Sequence, residues 1–162
     1  MMFFGKKKNV APVEPQLVAP MTGEYINIAQ VPDPVFSKKV LGDGVAVMPT
    51  EGLVMAPISG KIISVADTKH AFALQADGLD ILIHIGLNTV ELAGEGFEPM
   101  VKAGDVVSVG DPICRVDLNL IRSQGYALYT PIVITNIDAV KELTTHPGTG
   151  TAGQTVVLEY VK

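Results

Sequence analysis

The chain has one cysteine (Cys114), no tryptophan and only three histidines in 162 residues. A single cysteine excludes an internal disulfide framework and fits a reducing, cytoplasmic compartment. Charged residues are few, at 18% against 48% hydrophobic, which excludes a charge-solvated disordered chain. Basic charge is scarce too: the net charge of -5 argues against nucleic acid as a partner and suits a basic protein. No apolar run approaches the ~20 residues of a membrane helix. Missing motifs exclude further classes. There is no G-x-S-x-G elbow, P-loop or dinucleotide fingerprint, and no H-x-H or H-E-x-x-H zinc pattern. No cofactor and no metal are therefore expected.

What is abundant is punctuation, with 16 glycines and 11 prolines. Helical periodicity is weak, so the reading is all-β, with short strands joined by glycine turns into a sandwich or barrel. The length fits one domain. Residues 1–15 are expected to be a polar N-terminal tail and 16–162 a single domain. The tip MMFFGKKKN lacks a signal-peptide core; it reads as a solvated end, with peripheral membrane contact as the minority reading.

In chain order, LVAPMTGEYINIAQV reads as strand, turn, strand from Leu17. LVMAPISGKIISVAD repeats it near Val54: Pro20 and Pro57 enter the two turns, Gly23 and Gly60 leave them. VKAGDVVSVGDPICRVD is a third related unit. Between the first two, Asp33 and Pro34 are set to start a helical turn, and Gly42-Asp43-Gly44 leads into a strand over Val45–Met48. Asp117 is set to cap a helix over Leu118–Ser123. PIVITN reads as an apolar strand. Asn136 or Asp138 is expected to cap a second short helix through Leu143. HPGTGTAG reads as a loop, and QTVVLEYV as the last strand. Cys114 is expected in the core and His146 in solvent.

The organising stretch runs from Thr68 to Leu92, with His70 and His84 on two strand-like runs around Asp77-Gly78. Turn length decides where they point, because a one-residue slip flips every side chain. A two-residue Asp77-Gly78 loop pairs Ala71 with His84. A three-residue Ala76-Asp77-Gly78 loop, with Gly78 in the left-handed region, pairs Gln75 with Leu79 and His70 with His84. The expectation is the three-residue loop, with Cβ atoms about 4.5–5.5 Å apart.

Two adjacent imidazoles resist double protonation, so one stays neutral and keeps a lone pair. That lone pair can bind a metal, take a proton or attack phosphorus. A structural zinc site needs four ligands, and a zinc hydrolase three plus a base; His70, His84 and Glu91 are the available set for the latter, at unspecific spacing. Phosphoryl transfer needs less: one ring nitrogen attacks and the second imidazole donates to the phosphoryl oxygens. The nucleophile's other nitrogen must keep its proton on a fixed acceptor.

VPDPVF, GDGVAV, the AP-x-x-G turn, TKHAF, ILIHIGLNTVEL, GEGF, KAGDVVSVGD and PIVITN, in order from Leu17 to Tyr160, resemble the glucose-type IIA proteins of the bacterial sugar phosphotransferase system. The resemblance implies an antiparallel β-sandwich of duplicated strand–turn units (a barrel-sandwich hybrid). It also implies a phosphocarrier, with His84 phosphorylated on Nε2 and His70 stabilising the phosphoryl group. Thr68 would hold the His70 ring, and the Gly86 carbonyl would accept the Nδ1 proton of His84. The implied donor is phospho-HPr and the acceptor a cysteine in a IIB domain of a sugar permease, with further regulatory protein targets. The implied docking residues are Asp33, Val35, Phe36, Val40, Leu41, Leu82, Asn88 and Glu91. Asn88 stands where some relatives have Asp, which removes one acidic contact. The hairpin turn is shorter than in other relatives, and so is the N-terminal segment, so membrane anchoring is not carried over. Two other readings stay open: a zinc hydrolase using the same histidines, and a regulatory protein-binding module. A prosthetic group on Lys69 is a remote one, since the lipoyl and biotinyl carriers that share G-D-x-V-x-x-G-D-x-I place their lysine at a hairpin tip.

Overall fold

The computed structural model describes residues 13–162; the N-terminal tip lies outside them. Fourteen short strands run in chain order. They are β1 (Gln16–Val18), β2 (Gly23–Asn27), β3 (Asp43–Pro49), β4 (Leu53–Met55), β5 (Gly60–Val65), β6 (Ala71–Ala76) and β7 (Leu79–His84). After these come β8 (Phe97–Pro99), β9 (Val106–Val107), β10 (Pro112–Val116), β11 (Thr130–Ile134), β12 (Glu142–Thr145), β13 (Gly148–Gly150) and β14 (Val156–Val161). Two short helices interrupt them, α1 (Pro34–Ser37) and α2 (Leu118–Ser123). Each has the expected aspartate cap: Asp33 accepts from the Val35 N–H, and Asp117 from that of Leu120.

Every pairing is antiparallel. The large sheet has the order β13-β2-β3-β11-β7-β6-β5-β9, and two small sheets have the orders β1-β14-β12 and β4-β10-β8. Alternation explains the layering. Phe72, Leu74, Ile81, Ile83, Val45 and Val47 point inward from the large sheet, meeting Leu17, Leu158, Val54 and Cys114 of the small sheets in one buried core. The sheets form a sandwich of the expected class and do not close into a barrel.

The repeats prove to be the two halves of a pseudo-twofold unit. The Val18 N–H donates to the Pro57 carbonyl at 2.9 Å, and reciprocally that of Met55 to Pro20 at 2.8 Å. Leu17 pairs with Leu158 as Val54 pairs with Cys114, and both pairings break register at the next residue. The pseudo-axis passes through the Ile83–Ile132 pair, where β7 meets β11. The second member of each half, β13–β14 or β9–β10, shares too little sequence with its counterpart to reveal this.

Three expectations are corrected. Gly148–Gly150 is a strand on β2, not a loop: its backbone pairs though its side chains carry no alternation. Glu142–Thr145 is a strand on β14, so the second helix stops at a single 3-10 turn, Ile137–Ala139. Asn136 does not cap that turn. It instead accepts from the Asp80 N–H at 2.8 Å and donates to the Gly78 carbonyl at 3.0 Å, pinning the histidine hairpin.

The hairpin turn is also corrected. Ala76 pairs with Leu79, and Ala71, not His70, faces His84. Asp77 and Gly78 have φ of 51° and 76°, both in the left-handed region that a two-residue type I′ turn requires. The three-residue reading assumed that His70 lies within the strand. It lies one residue before it, in a bend, so strand alternation does not govern its side chain.

Candidate functional site

His84 ends β7 on the outer face of the large sheet, and Asp67–His70 bends in beside it. Lys69 makes that bend with φ of 66°, and its N–H closes the turn on the Ala66 carbonyl at 2.7 Å. The Ile85 N–H then donates to the His70 carbonyl at 2.7 Å. The bend brings the rings together despite the even hairpin turn: their centroids lie 4.8 Å apart, edge to face at 85°.

Each ring is held at Nδ1. Thr68 Oγ1 lies 2.8 Å from Nδ1 of His70. Nδ1 of His84 lies 2.8 Å from the Gly86 carbonyl. A carbonyl can only accept, so His84 carries its proton on Nδ1, and the neutral ring leaves Nε2 bare. Burial holds His70 below its ordinary value of 6.5, and the nearby His84 adds to this. Burial also lowers His84, against the Gly86 hydrogen bond and the negative charge of Asp33. Both shifts favour neutral imidazoles at neutral pH.

Around His84 the outer face carries a second apolar cluster of Ile28, Val31, Phe36, Ala46, Leu87 and Val133, flanked by Ile26, Leu82 and Tyr129. Phe36, expected on a docking rim, is only 4% exposed and sets its ring 5.0 Å from His84. It is a wall of the site. Val35, Val40 and Leu41 form the exposed rim, Val40 at 69%, and Leu82 is half-buried. Asp33 caps α1 beside them. Asn88 is exposed in the left-handed region at φ of 60°. Glu91 accepts from the Tyr126 hydroxyl at 3.0 Å. The sequence reading missed Val90, half-exposed on the same 3-10 turn. It also missed the Ala127 carbonyl, which takes the Leu87 N–H at 3.0 Å behind the Gly86 turn. Neither has a motif to announce it.

The other candidates lie elsewhere. Cys114 is buried, its thiol pushed up to about 11 by burial. His146 is exposed, 2.6 Å from the Glu159 carboxylate. A groove of about 810 Å³ lined by Gly96, Arg115 and Arg122 among others contains neither His70 nor His84. The histidine pair instead adjoins the outer apolar cluster, near the exposed Val35, Val40 and Leu41, a setting that suits a protein partner. Among the described residues no three His, Cys, Asp or Glu side chains stand close enough to hold a metal ion, so Glu91 does not complete a ligand set. Among the same residues, no helix is long and apolar enough to cross a membrane.

The family model of the phosphoenolpyruvate-dependent sugar phosphotransferase system, EIIA 1, matches residues 15–140. The chain belongs to that family. It is a phosphocarrier component of the sugar phosphotransferase system. A glucose-specific EIIA component of Bacillus anthracis is 48% identical over 157 residues, covering 96% of this chain and 93% of that protein. One from Staphylococcus aureus is 48% identical over 136 residues, 83% of this chain and 81% of that protein. The solved glucose permease IIA from Mycoplasma capricolum superposes with a TM-score of 0.83 at 36% identity, over 97% of this chain and 99% of that one. The EIIA fold agrees with the all-β sandwich read from the sequence.

Proposed function

We propose that this EIIA chain carries the phosphoryl group on Nε2 of His84. The observation that carries the reading is the 2.8 Å contact between His84 Nδ1 and the Gly86 carbonyl, which keeps the Nε2 lone pair free. That lone pair attacks the phosphorus of a phosphohistidine donor. The donor's P–N bond breaks, its electron pair returns to the donor ring, and the group leaves later to a thiolate by the same in-line course. His70 steadies the phosphoryl oxygens: with the Thr68 hydroxyl donating to its Nδ1, its Nε2–H is the free donor. Family membership supports HPr as the donor and a cysteine of a permease IIB domain as the acceptor. The rim of Val35, Val40 and Leu41, with Asp33 and Glu91 as acidic contacts and the exposed Asn88 as a neutral one, suits a basic donor protein. Glucose, which the relatives' names carry, is the first sugar to test. A cytoplasmic location accords with this role.

The test is intact mass after incubation with phosphoenolpyruvate, enzyme I and HPr. One acid-labile phosphate is expected on the wild type and on His70→Ala, which then passes it on poorly, and none on His84→Ala. A normally phosphorylated His84→Ala protein would overturn the assignment.

A further inference from the structure

We propose that Thr89 and Thr130 are positioning residues that aim the Gly86 carbonyl at His84 and so set which His84 nitrogen is nucleophilic. The inference rests on the assignment of His84 as phosphoryl acceptor. Only three polar residues are buried among the described residues, namely His70, Thr89 and Thr130. Both threonines are fully buried and both grip one peptide plane. The Thr89 hydroxyl donates to the Ile85 carbonyl at 2.5 Å. On the other side of that plane, the Gly86 N–H donates to Thr130 Oγ1 at 3.4 Å. The single Thr130 hydroxyl proton goes to the Leu128 carbonyl at 2.9 Å, so a lone pair faces Gly86.

The next plane does the chemical work. Its N–H, on Leu87, is tied to the Ala127 carbonyl at 3.0 Å, and its carbonyl, on Gly86, takes the His84 Nδ1 proton. Between the two planes stands Gly86, at φ of 77°. A glycine has no side chain to enforce its own conformation. The threonines supply that constraint from outside, and the Thr89 methyl adds to it. It lies 2.5 Å from the point where a Cβ on Gly86 would sit. If the first plane loosens, the carbonyl rotates off His84. The Nδ1 proton then loses its acceptor, and the tautomer protonated on Nε2 gains population. In that tautomer the attacking lone pair is gone.

The experiment compares Thr89→Val, Thr130→Val, Thr89→Ser and Thr130→Ser with the wild type. Ring ¹⁵N shifts of His84 are read in the unphosphorylated protein, and kcat and KM for phospho-HPr in the assembled system. The valine variants are expected to shift His84 toward the Nε2–H tautomer. Their kcat falls about tenfold, roughly the value of one hydrogen bond, with KM for the donor unchanged because neither side chain reaches the surface. The serine variants keep the hydroxyl and restore both readouts. A folded valine variant with wild-type ring nitrogens overturns the proposal, and so does a serine variant with an altered His84 tautomer. The serine result decides alone if a valine variant does not fold. Because the tautomer is read without phosphate, it stands apart from any failure of His84 as acceptor.

Discussion

Gly78 and Gly86 make a matched pair. Their φ angles are 76° and 77°, so an alanine at either meets the same left-handed backbone cost, about 1–2 kcal/mol. Their surroundings differ. A Cβ on Gly78 meets nothing within 4 Å. On Gly86 it falls 2.5 Å from the Thr89 methyl and 3.1 Å from the Ala127 carbonyl. Forcing a methyl into such a packed place adds about 1–3 kcal/mol. Gly78→Ala is therefore expected to cost about 1–2 kcal/mol and Gly86→Ala about 2–5 kcal/mol. Both lose the same unfolded-chain entropy, so their difference isolates the clash. Urea denaturation followed by far-UV circular dichroism measures both, read as a midpoint shift at constant slope. Gly86→Ala should also slow phosphoryl uptake, because the crowded turn moves the acceptor of the His84 proton; Gly78→Ala should not. Equal destabilisation of the two variants, or wild-type uptake in Gly86→Ala, would refute this account of the turn.

Two other outcomes are expected. Both histidines are held below their ordinary 6.5 in the fold, so the unfolded chain binds more protons once pH drops under about 6.5. Stability should hold above that value and fall as pH goes down through the folded values, with a shallower fall in His70→Gln/His84→Gln; midpoints measured from pH 8 to 5 test it, and an identical slope in the double variant would contradict it. Thr68→Ala removes the 2.8 Å partner of His70 Nδ1, a hydrogen bond of about 0.5–1.5 kcal/mol. Transfer from the phosphorylated protein to the IIB domain should slow up to about tenfold, and rapid-quench rates equal to wild type would count against a role for Thr68.

Much of this was legible where local chemistry decides alone. Asp33 and Asp117 announced their helices, and the repeated A-P-x-x-G turns announced a duplication. Tertiary pairing decided the rest. Gly148–Gly150 and Glu142–Thr145 carry no strand pattern and are strands only because β2 and β14 offer open edges. The histidine turn shows the limit most clearly. Asp77-Gly78 is the ordinary signal of a two-residue turn, and only the demand that both histidines share a strand face argues for a longer one. The left-handed Lys69 removes that conflict by bending His70 off the strand, and nothing in the side chain of a lysine advertises such a backbone angle. Phe36 shows a related limit: apolar character marks it for contact, but only the seating of α1 turns its ring onto His84.

The central claim is tested most directly by locating the phosphoryl group itself. With phosphoenolpyruvate, enzyme I and HPr supplied, ring-nitrogen NMR of the phosphorylated protein should show one phosphorus bonded to Nε2 of His84, with Nδ1 still protonated. Phosphorus on Nδ1 of His84, on His70, or on no histidine would contradict it.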